Sequence, residues 1–400
     1  MHILLLTPAL PYPPHQGGAL RNFGILRGLR EAGHQVSLIS FGTPGESSPL
    51  ADICAHLDVI APPERPMRAR LRDLVATGQP DLARRLESGA FRDALNALLR
   101  QFAFDFIQLE GLEMAIYLDA ARKLQPRARL IYDAHNAEFA LQRAIARVET
   151  GSPRRLPAAV YSRIQARRIE RFERSVCAAA DAVIAVSDED AALLRAFRAD
   201  GRVHVLPNGI DVDDYSQPDQ KKLDLGGDVL VFTGKMDYRP NVDGARWFAD
   251  AILPRIHAAV PGARLYVVGQ KPHASLQTLC EDEHIEVTGW VPEVQPFLHA
   301  AGVYVAPLRM GSGTRLKILE AMAAGCAVVA TPVAAAGLHD DARRAIRLAE
   351  GEEAFAEAVI ALLRQPDRRA ELGAQAQAAV RQHYDWGALI PCLLDIYRQL

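Results

Sequence analysis

A chain of 400 residues exceeds what one ordinary hydrophobic core fills, so two domains of roughly 200 residues each are expected. An apolar fraction of 49% with 24% charged residues is ordinary for a soluble globular protein, and a net charge of −2 offers no basic field for nucleic acid. Five cysteines stand far apart with no C-x-x-C pair, which argues for reduced thiols in a cytoplasmic protein and against a zinc site.

The chain opens on MHILLLTPALPYPP. No basic region precedes the apolar run and prolines follow it at once, so it reads as a first strand and not as a signal peptide. Short apolar strands then alternate with amphipathic helices. The expected strands of the first half are His2–Leu6, Gln35–Phe41, Phe104–Leu109, Arg129–Asp133, Ala182–Ser187 and Val203–Leu206. Those of the second half are Val229–Thr233, Arg264–Val268, Ile285–Thr288, Val303–Pro307, Ala327–Thr331 and Ile346–Leu348. This is the pattern of parallel sheets wrapped by helices. A polar, turn-rich break near 208–227 divides the chain into an N-terminal domain, 1–207, and a C-terminal domain, 208–382. An aromatic-marked helix at 383–400 is expected to pack back on the first domain. The fold class is therefore α/β, with two doubly wound Rossmann-like domains facing across a cleft at the carboxyl ends of their strands. The longest uncharged run, Ala321–Leu338, is broken by Gly325, Thr331 and Pro332, so a membrane span is not expected.

Several segments carry chemistry. Gly17 and Gly18 precede the first helix and let a ligand approach its N-terminus, or serve only as a flexible turn. No G-x-G-x-x-G follows a first strand, so a nicotinamide enzyme fits poorly. Asp133-Ala-His135-Asn136 ends the fourth expected strand, which aims His135 into the cleft as an orienting or proton-moving group. The alternative is a loop histidine bonded to backbone. In Phe232-Thr-Gly-Lys-Met-Asp-Tyr-Arg-Pro-Asn241, Gly234 permits a tight turn, and Lys235 and Arg239 project from it as cations for a pyrophosphate. They read equally well as a solvated charged loop.

The most informative segment is VYVAPLRMGSGTRLKILEAMAAGCAVVATPVAAAGL, 303–338. It reads as strand, glycine loop, helix, strand. Gly311 and Gly313 are expected to open the helix, offering backbone N–H groups to a diphosphate. Lys317 and Glu320, three residues apart, share one face, where a lysine neutralises phosphate and a carboxylate accepts from a sugar diol. Asp211-Val-Asp213 has a D-x-D form, but its place in the inter-domain turn suggests turn and capping roles, and no metal is expected. Arg154–Arg174 is rich in arginine, with Val160, Ile164, Phe172 and Val176 at helical spacing. It reads as the solvated face of a core-packed helix, with an anionic-membrane face as the alternative.

In this order, the Gly17–Gly18 loop, the Asp133–Asn136 loop, PNGID, FTGKMDYRPNVDG, VVGQKP, VTGWVPEVQPFL and GSGTRLKILEAMAAG resemble the family 4 glycosyltransferases of GT-B fold. The resemblance covers almost the whole chain and is weakest at roughly 45–100. It implies a retaining, metal-independent hexosyltransferase that takes a nucleoside-diphosphate sugar as donor and needs no cofactor, with a role in bacterial surface polysaccharide or glycoconjugate synthesis. By that resemblance Lys235 stands on the donor phosphates where the family usually has arginine, and Arg239 supplies a second cation. Glu320 matches the ribose-binding glutamate and His135 the histidine near the transferred sugar. Gly18 matches the glycine near the diphosphate, and Gly269 lies in the loop approaching the base. One departure stands out: the family often has a second glutamate eight residues before the ribose-binding one, and here that position is Ser312. The amides of Gly311, Ser312, Gly313 and Thr314, with Lys317, are expected to replace part of its contact. A saccharide, lipid-linked or small-molecule acceptor and no nucleic acid are expected as partners, with room for peripheral contact at the inner face of the cell membrane. Two alternatives remain: a nucleotide-sugar epimerase of the same fold, and a non-catalytic nucleotide-sugar-binding protein.

Overall fold

In the first strand Ile3, Leu4, Leu5 and Leu6 are all completely buried. Successive side chains point to opposite faces, so both faces of the sheet must be covered, as in parallel sheets flanked by helices. The computed structural model describes residues 1–14, 17–43, 45, 49–66, 68, 72–73, 76–149, 156–198, 200–216, 223–226, 228–310 and 315–400, with 144–149 and 156–160 as backbone only. The chain divides into two compact units. One comprises Met1–Gly209 with Leu389–Leu400, the other Ile210–Ala388.

In the first unit the strands are β1 (His2–Thr7), β2 (Gln35–Phe41), β3 (His56–Ile60), β4 (Phe106–Glu110), β5 (Arg129–Ala134), β6 (Ala182–Ala185) and β7 (Val203–Val205). Among the described residues they form one seven-stranded parallel sheet in the order β3-β2-β1-β4-β5-β6-β7. Strand order reverses between β1 and β4, and the crevice at such a point is where open α/β sheets take ligands. The second unit repeats the plan with β8 (Val229–Thr233), β9 (Arg264–Val268), β10 (Ile285–Gly289), β11 (Val303–Ala306), β12 (Val328–Ala330) and β13 (Arg347–Leu348). Its order is β10-β9-β8-β11-β12-β13, all parallel, with the reversal between β8 and β11.

Each expected strand is present, with ends displaced by a residue or two. Strand β3 was not expected. Its HLDVI sequence lies at the sheet edge with every residue half-buried, so it lacks the continuous apolar run that marks the central strands.

The expected helix at 383–400 is interrupted. One helix, Pro366–His383, ends there, and another runs Trp386–Arg398. The second packs on the first unit: Ile390 fills the space that Gly28 leaves open, and the Tyr397 ring stacks on Phe106 at 4.4 Å. Where the second unit begins, Asp211 Oδ1 accepts from the Asp213 N–H at 3.2 Å, and Asp213 opens a short helix and pairs with Arg381 at 2.8 Å. The D-x-D segment thus makes a turn and a helix start.

In the arginine-rich helix Leu156–Ala179 the core-facing stripe runs through Ala166, Ile169, Glu173, Val176 and Cys177. Ile164, expected on that stripe, is instead exposed, because the helix turns Gln165 and Ala166 inward in its place. All five cysteines are free. Among the described residues no helix is long and apolar enough to cross a membrane.

Candidate functional site

Each unit carries a cluster at its point of strand reversal. In the first, β4 and β5 end in Glu110 and Asp133, both fully buried, and His135 follows. A buried charge must be paired. Arg21, from the helix Gly17–Glu31 and 1% exposed, grips Asp133 with Nε at 3.1 Å and Nη2 at 2.9 Å, while its Nη1 donates to the carbonyls of Leu206 and Pro207. Glu110 receives Gln108 Nε2 on one oxygen at 2.7 Å and His135 Nε2 on the other at 3.0 Å. Gln108 in turn accepts the Tyr397 hydroxyl at 2.5 Å, so the last helix supports the histidine through two buried side chains.

Burial acts to lower the pKa of His135. The hydrogen bond and charge of Glu110, with the charge of Asp133, outweigh it and hold the ring above its ordinary value. Burial likewise raises Asp133, opposed chiefly by Arg21. The Nδ1 edge of His135 is flanked by two glycines. A Cβ placed on Gly18 or Gly111 would lie 3.8 Å from Nδ1. Two glycines on this edge leave a ligand hydroxyl room to approach, with the Glu113 carboxylate beside Gly111. Glu110, Asp133 and His135 bring ligand atoms within 4.8 Å of one another, a spacing a metal could use. Here the carboxylates already receive Arg21, Gln108 and His135, and the guanidinium supplies the positive charge a metal would bring.

The cluster of the second unit lies where β8 and β11 end. Gly234 (φ +147°) closes β8, and Gly269 (φ +151°) closes β9 beside it. A Cβ on Gly269 would run into the Gly234 carbonyl, so two backbone loops touch where only glycine fits. A Cβ on Gly234 would in turn meet Lys317 Nζ and Asn241 Nδ2. Lys317 belongs to the helix Leu316–Ala323. Its ammonium donates to Asn241 Oδ1 at 2.7 Å and lies 4.6 Å from the centre of the Phe232 ring. Asn241, 4% exposed, also donates to the Lys235 carbonyl at 2.9 Å and so ties the glycine loop to that helix. Burial, with the charge of Arg315 adding and Glu320 opposing, pushes Lys317 down to about 7. Glu320, on the same helix, accepts from the Tyr215 hydroxyl at 3.3 Å, and burial raises its pKa against the pull of Tyr215 and Lys317.

Of the residues singled out in the sequence, Gly234, Gly269, Lys317 and Glu320 come together in this unit, and Gly18 and His135 in the other. Gly17 is the first residue of its helix. Lys235 and Arg239 are exposed, and Lys235 has Asp237 at 3.6 Å. Gly311, Ser312, Gly313 and Thr314 lie outside the described residues. The helix begins at Leu316, later than the glycines expected to open it, with Arg315 as its N-cap. Sequence reasoning missed Arg21, Glu110, Asn241, Tyr215 and Arg315. Only Asn241 carried a usable signal, a polar residue within the quoted FTGKMDYRPNVDG motif.

Comparison with known proteins matches residues 17–214 to Glycosyltransferase Family 4 and residues 227–365 to Glycosyl transferases group 1. The chain belongs to the family 4 glycosyltransferases. It is 31% identical to a phosphatidyl-myo-inositol mannosyltransferase of Mycobacterium leprae, over 48% of this chain and 52% of that protein. It is also 31% identical to an alpha-maltose-1-phosphate synthase of Mycolicibacterium smegmatis, over 57% of this chain and 65% of that protein. The chain thus spans between half and two thirds of the length of these curated relatives. Among solved structures it resembles Anabaena HepE in complex with UDP and glucose (TM-score 0.66, 16% identity, all of both chains). It also resembles the sucrose-phosphate synthase of Thermosynechococcus elongatus (TM-score 0.69, 18% identity, 100% of this chain and 99% of that one). These likenesses are of fold: two Rossmann-like α/β domains of the GT-B type.

Proposed function

We propose that this glycosyltransferase moves a sugar from a nucleoside-diphosphate sugar to an acceptor, with retention at the anomeric carbon and without a metal or cofactor. The observation that carries the reading is the cluster of Gly234, Gly269, Asn241, Lys317 and Glu320. Two side-chain-free backbone turns lie against a half-buried ammonium, with a carboxylate one turn further along the same helix. This is the chemistry of a diphosphate followed by a ribose diol. Lys235 and Arg239 add charge from the surface, and the amides of Gly311–Thr314 remain the expected sugar-side donors. The acceptor belongs to the first unit, where Gly18 and the Nδ1 edge of His135 orient a hydroxyl. The departing diphosphate, stabilised by the cations, assists same-face attack. The activities of these relatives favour glycoconjugate or surface-polysaccharide synthesis, with a saccharide or lipid-linked acceptor. A lipid-linked acceptor would bring the enzyme to the inner face of the cell membrane.

The test is a panel of UDP-, GDP-, ADP- and TDP-sugars in EDTA, read by thermal shift and by slow release of nucleoside diphosphate. One donor should stabilise the protein and be slowly hydrolysed, with both signals lost in Glu320→Ala and reduced in Lys235→Ala. Donor consumed without nucleotide release would make the protein an epimerase. Donor bound without turnover, whatever acceptor is offered, would make it a binding protein.

The low value of Lys317 gives a pH signature. An ammonium near 7 is mostly neutral at pH 8, and a bound diphosphate restores its charge, so binding takes up a proton. Uptake should approach roughly one proton at pH 8 and vanish near pH 6, where the free enzyme is already protonated. Affinity should then fall by up to about tenfold per pH unit above 7. The groups facing Lys317 are Arg315, whose charge lowers it, and Glu320, whose charge raises it. Calorimetry of the NDP-sugar in buffers of different ionisation enthalpy reads the uptake. Heats at pH 8 that are independent of buffer would show that Lys317 does not titrate on binding.

A further inference from the structure

Three arginines show how this fold treats the guanidinium edge formed by Nε and Nη2, which matches the two oxygens of a carboxylate or phosphate. In Arg21 that edge is filled by Asp133, at 3.1 and 2.9 Å. In Arg309 it is filled by Asp243, at 2.9 and 2.6 Å. In Arg315 the same two nitrogens, Nε and Nη2, are closed off from solvent and meet no acceptor among the described residues. Two guanidinium nitrogens stripped of water and left unpaired are unfavourable unless an oxyanion completes them.

The surroundings fit an anion. Arg315 caps the helix that carries Lys317 and Glu320. Its charge acts on the Lys317 ammonium. Burial lowers its own pKa, and the opposing influence comes from Tyr238, in the loop that runs from Gly234 to Arg239. Arg315 is therefore coupled by charge both to Lys317 of the cluster described above and to Tyr238 of the loop bearing Lys235. From Leu308 to Leu319 the chain carries Arg309, Arg315 and Lys317 and no acid. Arg309 has its aspartate. Glu320, the nearest acid along the helix, accepts from Tyr215. Among the described residues neither Arg315 nor Lys317 makes an ion pair, and Lys317 donates to the neutral Asn241.

The geometry points to Arg315 as the principal oxyanion-binding residue of the second unit, taking two oxygens of the donor on its Nε–Nη2 edge while Lys317 neutralises the same group. This rests on the donor-site reading above and adds a residue that neither motif nor resemblance singled out. Two donor groups offer that chemistry: the diphosphate, and a carboxylate on the sugar of a uronic-acid donor.

The experiment is calorimetric titration of the full chain with UDP, GDP, ADP and TDP, with the matching free nucleosides, and with UDP-glucose and UDP-glucuronic acid. It compares wild type, Arg315→Gln and Arg315→Lys, each with its fold checked by circular dichroism. For the nucleoside diphosphate that binds wild type, Arg315→Gln should weaken affinity by at least roughly 30-fold. The free nucleoside should bind both proteins equally, and the salt dependence should flatten. Arg315→Lys keeps the charge but loses the two-nitrogen edge, and should weaken binding by roughly tenfold. If the loss is confined to UDP-glucuronic acid while nucleoside diphosphates bind as before, the oxyanion is the sugar carboxylate. Wild-type affinity for every ligand in a folded variant overturns the assignment, and Arg315→Lys decides the matter if Arg315→Gln fails to fold. Wild type binding none of the panel would instead remove the donor-site reading, and this assignment with it.

Discussion

Arg21→Leu is expected to destabilise the first unit by about 3–5 kcal/mol, the range for breaking a buried ion pair from one side. The substitution removes the two-nitrogen grip on Asp133 and the bonds to Leu206 and Pro207, leaving the fully buried carboxylate, among the described residues, with Gln108 Nε2 alone, at 3.2 Å. Asp133 would then take up a proton. Its neighbours Glu110 and His135 would lose the cation that lets two acids lie side by side at the ends of β4 and β5. All three tryptophans, Trp247, Trp290 and Trp386, belong to the second unit, so their fluorescence would miss the event. Amide exchange across β4 and β5, read by mass spectrometry, reports it directly. Arg21→Leu with Asp133→Leu should be more stable than Arg21→Leu alone, because the buried, under-paired carboxyl is gone. Unchanged exchange in the single variant would show that the pair contributes nothing.

Gly269→Ala is expected to abolish donor binding while costing the second unit about 3 kcal/mol. The added methyl group meets the Gly234 carbonyl at a backbone angle, φ +151°, that side chains rarely adopt. The loop from Gly234 to Asn241 must move, and with it the Asn241 bonds that hold Lys235 and Lys317 in place. Binding should therefore fall far more than stability. Titration with the donor found in the screen, alongside thermal melting of the same protein, separates the two. Melting at the wild-type temperature with full affinity would mean that the two loops do not touch as described.

Much of this architecture was legible in the sequence. Strands such as ILLL and VYVA, buried on both faces, cannot be mistaken for half-solvated ones, and their alternation with helical segments implies parallel sheets. The glycines at 234 and 269 and the Lys317–Glu320 pair were readable because phosphate chemistry requires those residue types at those turns. Strand β3 was not, because an edge strand needs no apolar run. Arg315 escaped for a different reason. Its chemical interest lies in what its guanidinium fails to meet, and an unfilled hydrogen-bonding edge has no sequence signature.

The sequence by itself determined the two α/β domains, the break between them and the motif loops, since hydrophobic period and glycine position are local properties of the chain. Only the tertiary structure decided which charges are partnered. Arg21 reaches Asp133 across 112 positions, and Tyr397 reaches Gln108 across 289. Pairing at such separations follows from the order in which strands assemble into a sheet. The burial that lowers Lys317 and the buried carboxylates that raise His135 exist only once that sheet is covered.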